Sequence, residues 1–157
     1  MFSYQEWSEP EGRVLSVLQE KRVPGEEIFL RKLVNATVIR NQVYEHTSNE
    51  SEVGERHNVY VKPFDEDDLE LYGVHIKSSL FENSARSIRI ETEFLCWEET
   101  GFERREVLAP VRDLYEISQL LLDHHLVIEG NHYEILYSVL DTDMNKVYFY
   151  LKEMGLS

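Results

Sequence analysis

The chain has 157 residues, and its thirty Asp and Glu against sixteen Lys and Arg give a formal net charge of −14. Such a charge repels phosphate backbones and anionic lipids, so we expect no direct nucleic-acid binding and no membrane binding. The single cysteine, Cys96, excludes an internal disulfide framework, and no apolar run is long enough to span a bilayer. These features predict one globular cytoplasmic domain over residues 1–157.

The first third of the chain carries mixed signals. Residues 11–22 predict a helix, because their apolar side chains share one helical face before Pro24 and Gly25 end it. Helical and strand patterns overlap between residues 26 and 44, and we favour a strand over about residues 33–45. Residues 46–57 are polar and predict an exposed loop or hairpin tip.

The middle of the chain predicts an antiparallel meander. Residues 58–64 and 69–80 are rich in strand-forming residues and flank an acidic turn at residues 65–68, so we expect them to pair as a hairpin. The clearest alternation of apolar and polar residues covers residues 87–97. A further strand is expected over residues 102–108, ending at Ala109 and Pro110.

The last third predicts one helix and two hairpins. Asp113 is a typical helix cap, and the helix is expected to close near His124. Three strands are expected to follow over residues 126–129, 133–140 and 146–152. The sequence shows no long-range repeat. Together the segments predict an α+β fold: a mainly antiparallel sheet of about five to seven strands, with two principal helices packed on one face.

The common catalytic and cofactor motifs are absent. The seven glycines form no phosphate-binding loop, and neither a nucleophile elbow nor a metalloprotease helix is present. We therefore predict no cofactor and no catalytic residue. His124, His125 and His132 are weak metal-ligand candidates, but two adjacent helical residues point about 100° apart, so we predict no metal site. Cys96 lies on the apolar side of its strand and is expected to be a buried, unreactive thiol.

Charge and aromatic residues are the remaining signals. Acidic residues concentrate in residues 50–70 and 91–106. Tyr148 and Tyr150 alternate with an apolar set that we expect to be core, so these two tyrosines should be partly exposed and suited to an interface. The predicted partner-binding residues are Tyr148, Tyr150, Glu66, Asp67, Asp68, Glu91 and Glu93.

These signals favour a non-enzymatic, acidic protein-binding module of the inhibitor or immunity type, which docks a basic protein partner and is a candidate homodimer. In composition the chain resembles small acidic proteins of bacteria and their phages, including toxin-immunity proteins. Three alternatives stay open at this point: charge that serves only solubility, a structural subunit of a phage or other assembly, and an enzyme with an unfamiliar histidine site.

Overall fold

The computed structural model describes residues 1–82, 85–107 and 111–155. Over these residues the chain forms ten strands, three α-helices and one 3₁₀ helix. In chain order they are β1 Phe2–Ser8, β2 Arg13–Lys21, α1 Gly25–Leu33, β3 Ala36–Ile39, β4 Gln42–Glu52, β5 Arg56–Pro63, the 3₁₀ helix Glu66–Leu69, α2 Gly73–Leu80, β6 Glu91–Trp97, β7 Phe102–Arg105, α3 Leu114–Leu122, β8 His125–Ile128, β9 Asn131–Asp141 and β10 Lys146–Glu153.

All described strands belong to one mixed sheet. Its order is β2-β1-β5-β4-β3-β9-β10-β6-β7, and β8 pairs with β9. The pairs β1–β5, β3–β9 and β6–β10 are parallel, and the other pairs are antiparallel. The predicted α+β class is therefore confirmed, but the sheet has more strands than the five to seven expected.

The two halves of the chain repeat one topology. Each half contains a hairpin, a helix and three antiparallel strands, and its first strand pairs in parallel with its last. Five elements of the second half begin 89 residues after their counterparts, and the last strand begins 90 residues after. The starting residues are 2 and 91, 13 and 102, 25 and 114, 36 and 125, 42 and 131, and 56 and 146. The expectation of no long-range repeat is wrong, because the halves also share residues at the 89-residue spacing. Examples are Glu27 and Glu116, Ile28 and Ile117, and Tyr44 and Tyr133.

Helices cover both faces of the sheet. α1 and α3 pack together on one side, here named face A, over a core that includes Leu30, Ile117 and Phe149. The 3₁₀ helix and α2 lie on the opposite side, face B, where Ile76 and Leu80 are buried. The expectation of two helices on one face is thus incomplete, because a third helix covers part of the other face.

Two segments differ in type from the prediction. Residues 11–22 contain the edge strand β2 instead of a helix. Register shifts in its pairing with β1 skip Leu15 and Leu18, so successive apolar residues fit in a strand. Residues 69–80 contain α2 instead of a strand, because Ile76 and Leu80 lie one helical turn apart and are buried together.

Other boundaries shift. The strand expected over residues 33–45 is the end of α1 followed by β3 and the start of β4, and residues 46–57 form a β-hairpin whose strands reach Glu52 and Arg56. The acidic turn at residues 65–68 is largely the 3₁₀ helix.

The predictions for the second half of the chain agree more closely with the structure. The α3 cap at Asp113 and both C-terminal hairpins are confirmed. Strand 87–97 begins only at Glu91, and the strand predicted over residues 102–108 ends at Arg105. Its expected stop at Ala109 and Pro110 lies outside the described residues.

Candidate functional site

The expected exposure of Tyr148 and Tyr150 is wrong. Their relative exposures are 3% and 0%, because α2 packs over them on face B. The Tyr150 hydroxyl lies 2.7 Å from Ser79 Oγ, and its ring lies edge-on to Phe102 at 4.9 Å between centroids. Alternation identified the right face of β10, but both of its faces are covered. These two tyrosines are core residues.

Glu91 and Glu93 form a partly buried ion-pair cluster. Lys146 Nζ lies 3.4 Å from a Glu91 oxygen and 2.6 Å from a Glu93 oxygen, and Arg112 and Arg104 pair with the same two carboxylates. Burial alone would raise the pKa of Glu91, but the Arg112 and Lys146 contacts outweigh it and lower that pKa. These carboxylates are largely neutralised within the chain.

The acidic 3₁₀ helix has a different environment. Asp67 and Asp68 are exposed, and Glu66 pairs only with the half-exposed Lys77 at 3.3 Å. The Asp65 side chain accepts a hydrogen bond from the Asp67 N–H and so caps this turn. These acidic residues therefore lie on the surface, at a fixed position on face B.

Face B is open over the first half of the sheet. No element within the described residues covers its outer strands β2, β1 and β5. We name this surface the open face and define it by Gln5, Trp7, Val14, Val17, Asn58 and Tyr60, which strand pairing places on one side. Trp7 and Tyr60 are half-buried and edge-on at 6.0 Å, while Val17 is 53% exposed. An aromatic pair beside an exposed aliphatic residue is typical of interface centres.

A hydrogen-bond network forms the floor of the open face. Ser3 donates to Asn58 Oδ1 at 2.7 Å, and Asn58 donates to Glu50 Oε1 at 2.9 Å. The Tyr60 hydroxyl donates to the same Glu50 oxygen at 3.0 Å. Burial, together with this carboxylate, raises the pKa of Tyr60. The network presents the Glu50 carboxylate at the edge of the aromatic pair.

Carboxylates form the rim of the open face. Glu50 lies on β4, and Glu45 lies on the same side of that strand. Lys62 lies between Glu45 and Asp68, at 3.9 and 3.8 Å, and connects the 3₁₀ helix to this rim. Burial raises the pKa of Glu45. The nearby Asp68 carboxylate also raises this pKa, whereas Lys62 lowers it. One lysine thus serves two carboxylates, and the rim stays negative.

The internal repeat shows how face B differs between the halves. Gln5 pairs with Tyr60 across β1 and β5, and Leu95 pairs with Tyr150 across β6 and β10. Trp7 lies two residues after Gln5 in β1, and Trp97 lies two residues after Leu95 in β6. α2 covers Leu95 and Tyr150 in the second half. The equivalent residues of the first half, Gln5 and Tyr60, belong to the open face. The signal for Tyr60 was present in the sequence, since it alternates with Val59 and Val61 as Tyr150 does with its apolar neighbours.

The histidine and cysteine candidates do not form a reactive centre. His124, His125 and His132 are exposed around the β8–β9 hairpin. Across residues 1–82, 85–107 and 111–155, no group of three or more His, Cys, Asp or Glu is placed to hold a metal ion. Cys96 is buried as predicted, and burial raises the pKa of its thiol.

Two further groups, the half-buried His46 and the buried Asp141, have shifted pKa values for structural reasons. His46 Nε2 lies 2.6 Å from Thr37 Oγ1 on the α1 side of the sheet, and burial lowers the pKa of His46 to about 4. Asp141 accepts the N–H groups of Asp143 and Met144 in the β9–β10 turn, and burial raises its pKa to about 6. Neither group belongs to the open face.

Asp141 gives a pH-dependent prediction. Because its pKa is higher in the folded chain than the ordinary 3.8, the folded state favours the protonated carboxyl, and stability falls as pH rises from about 4 to 6. Asp141→Asn keeps an acceptor for the turn and removes the buried charge. We expect this variant to be about 2 kcal/mol more stable at pH 7. Urea unfolding at pH 4 and pH 7 checks this, and an advantage equal at both pH values would contradict it.

Comparisons with family models, with curated proteins and with solved structures find no match to this chain. Within the part of the chain that is described, no helix has the length and apolar character needed to cross a membrane. The candidate function therefore depends on the geometry of the open face and its acidic rim.

Proposed function

We propose that the protein is a non-enzymatic binding module that docks a basic protein partner on the open face. The observation that carries this is the aromatic pair of Trp7 and Tyr60, left uncovered beside the Glu50, Glu45 and Asp68 carboxylates. Aromatic centres supply most of the binding energy of interfaces, and charged rims supply association rate and partner selection. Of the acidic partner-binding residues predicted from the sequence, we keep in the proposed site only those of the 3₁₀ helix, Glu66, Asp67 and Asp68.

The overall charge supports a basic partner. A net charge of −14 attracts cationic surfaces over a Debye length of about 8 Å at physiological salt. In the other acidic cluster, Glu91 and Glu93 are already neutralised by their ion pairs with Lys146. At the rim of the open face, Lys62 pairs with both Glu45 and Asp68. On the same side of β5, Arg56 pairs with Glu20 and Glu52. The open face therefore combines aromatic surface with an excess of carboxylates over cations.

The test is capture of partners from the native host at low and high salt, with the wild-type chain and two charge-matched variants. Asp67→Lys/Asp68→Lys reverses two charges at the rim. Glu98→Lys/Glu99→Lys makes the same change in net charge at the exposed β6–β7 turn. We expect a basic protein to bind the wild type and the turn variant, to be lost from the rim variant, and to dissociate as salt rises. Equal loss from both variants would show a nonspecific charge effect and contradict the proposal.

A further inference from the structure

The second half of the chain shows what fits on this kind of surface. α2 lies on face B with Ile76 and Leu80, one helical turn apart, buried against the sheet. Ser79, next to Leu80, meets the Tyr150 hydroxyl at 2.7 Å. The occupant is thus a two-turn helix that offers two aliphatic side chains and one polar group to the equivalent tyrosine.

The tyrosine of the open face has a different partner. The Tyr60 hydroxyl donates to Glu50 Oε1, where Tyr150 meets a serine. Glu50 is exposed, and among the described residues Asn58 and Tyr60 both donate to its Oε1 rather than to its second oxygen, Oε2. A helix placed on the open face would therefore meet a carboxylate at the position where α2 offers Ser79. A guanidinium or ammonium group complements that carboxylate.

We propose that the open face binds an amphipathic helix of the partner, in the orientation of α2, with an aliphatic pair on Trp7 and Tyr60 and an Arg or Lys on Glu50. This inference rests on the proposed function and specifies its ligand. The partner segment has the pattern Ile-x-x-Arg-Leu, which is the α2 spacing of Ile76, Ser79 and Leu80 with a basic residue at the serine position.

A helix fits this surface better than an extended segment. The backbone groups of β5 and β1 are already paired with neighbouring strands, so a segment lying on the face must satisfy its own hydrogen bonds. A helix does this internally, whereas an extended segment can pair only along the edge of β2. Three strands at about 4.8 Å spacing also span about 10 Å, which matches the diameter of one helix.

The test uses a fluorescein-labelled, side-chain-stapled peptide with this pattern, because an unstapled short helix is unstable in water. The control peptide has the same composition and staple, but its Ile and Leu are on opposite helix faces. A third peptide has Ser in place of Arg. Each is titrated by anisotropy against the full chain, Val17→Glu, Glu50→Gln and Tyr115→Ala, where Tyr115 is a 64% exposed residue of α3.

We expect the patterned peptide to bind at least about tenfold more tightly than the control peptide, and Val17→Glu to abolish the difference. Glu50→Gln keeps an acceptor for Asn58 and Tyr60, so it should weaken the Arg peptide about tenfold and leave the Ser peptide unchanged. Tyr115→Ala should bind like the wild type. Equal binding of the patterned and control peptides would overturn the helix inference.

Two further results separate this inference from the proposed function. If the captured basic partner still depends on Asp67 and Asp68 while the patterned peptide fails to bind, the helix inference is wrong and the proposed function stands. If light scattering instead finds a dimer that Val17→Glu abolishes and the peptide does not displace, a second copy occupies the face. That result overturns the helix inference and the basic-partner proposal together.

Discussion

Tyr150→Ala is expected to lower the free energy of unfolding by about 4 kcal/mol. The Tyr150 side chain is fully buried between the sheet and α2, so its removal leaves a cavity and takes a hydrogen-bond partner from Ser79. Tyr150→Phe keeps the ring and should cost only about 1 kcal/mol. Chemical denaturation monitored by circular dichroism measures both effects.

The matched control for this prediction is Tyr115→Ala. Tyr115 is 64% exposed on α3, so its removal should change stability by less than about 0.5 kcal/mol. A Tyr150→Ala effect as small as the Tyr115→Ala effect would mean that Tyr150 is on the surface. That result would support the sequence-based prediction that Tyr150 lies at an interface, and the packing of α2 over Tyr150 would be wrong.

Gly73→Ala should destabilise the chain by about 2 kcal/mol. Gly73 begins α2 with no left-handed φ, so helix propensity alone would make alanine stabilising by about 1 kcal/mol. However, a Cβ at this position would lie 2.7 Å from the Glu66 carbonyl carbon and 2.9 Å from its Cα. These are backbone atoms of the 3₁₀ helix, and they can move only if the acidic rim moves with them.

Gly25→Ala is the control, since Gly25 also begins a helix and an added Cβ there meets nothing within 4 Å. It should be neutral or slightly stabilising. The two variants thus have opposite expected signs in the same unfolding experiment. Stabilisation by Gly73→Ala would contradict the close packing of α2 on the 3₁₀ helix, and with it the fixed position of Asp67 and Asp68.

Local signals in the sequence were sufficient where one element was capped or alternated cleanly. Asp113 accepts the N–H groups of Tyr115 and Glu116 as expected of a cap, and the alternation around Phe94 matches β6. The two C-terminal hairpins have turns whose residues favour reversal, including Gly130 with φ of 83°. These features depend on neighbours in sequence, so composition and period identify them.

Features that depend on tertiary contacts were missed. The sequence predicts a helix at β2, because the spacing of apolar residues alone cannot show the bulges at Leu15 and Leu18. Those bulges arise from the pairing of β2 with β1. The sequence predicts an exposed Tyr150, because alternation separates the two faces of a strand but cannot show that helices cover both faces. The repeated topology is hard to predict from the sequence because the identities shared by the two halves, such as Ile28 with Ile117 and Tyr44 with Tyr133, are separated by positions that differ.

The open face was only half predictable. The sequence predicts an acidic, tyrosine-bearing sheet face as the partner site, and this stays a prediction; Asp67 and Asp68 are exposed beside the open face. In the proposed site the aromatic residues are Trp7 and Tyr60, which are far apart in sequence and are brought together by the parallel pairing of β1 with β5. No local pattern reports a parallel pair between the first and fifth strands.

The most direct test of the account is photocrosslinking in the native host, with p-benzoylphenylalanine at position 7 and, in a separate chain, at position 115. Binding at the open face predicts a crosslinked adduct to one basic protein from position 7, none from position 115, and loss of the adduct in the Asp67→Lys/Asp68→Lys background. No adduct from position 7, the same adducts from both positions, or an adduct that survives the rim charge reversal would contradict binding at the open face.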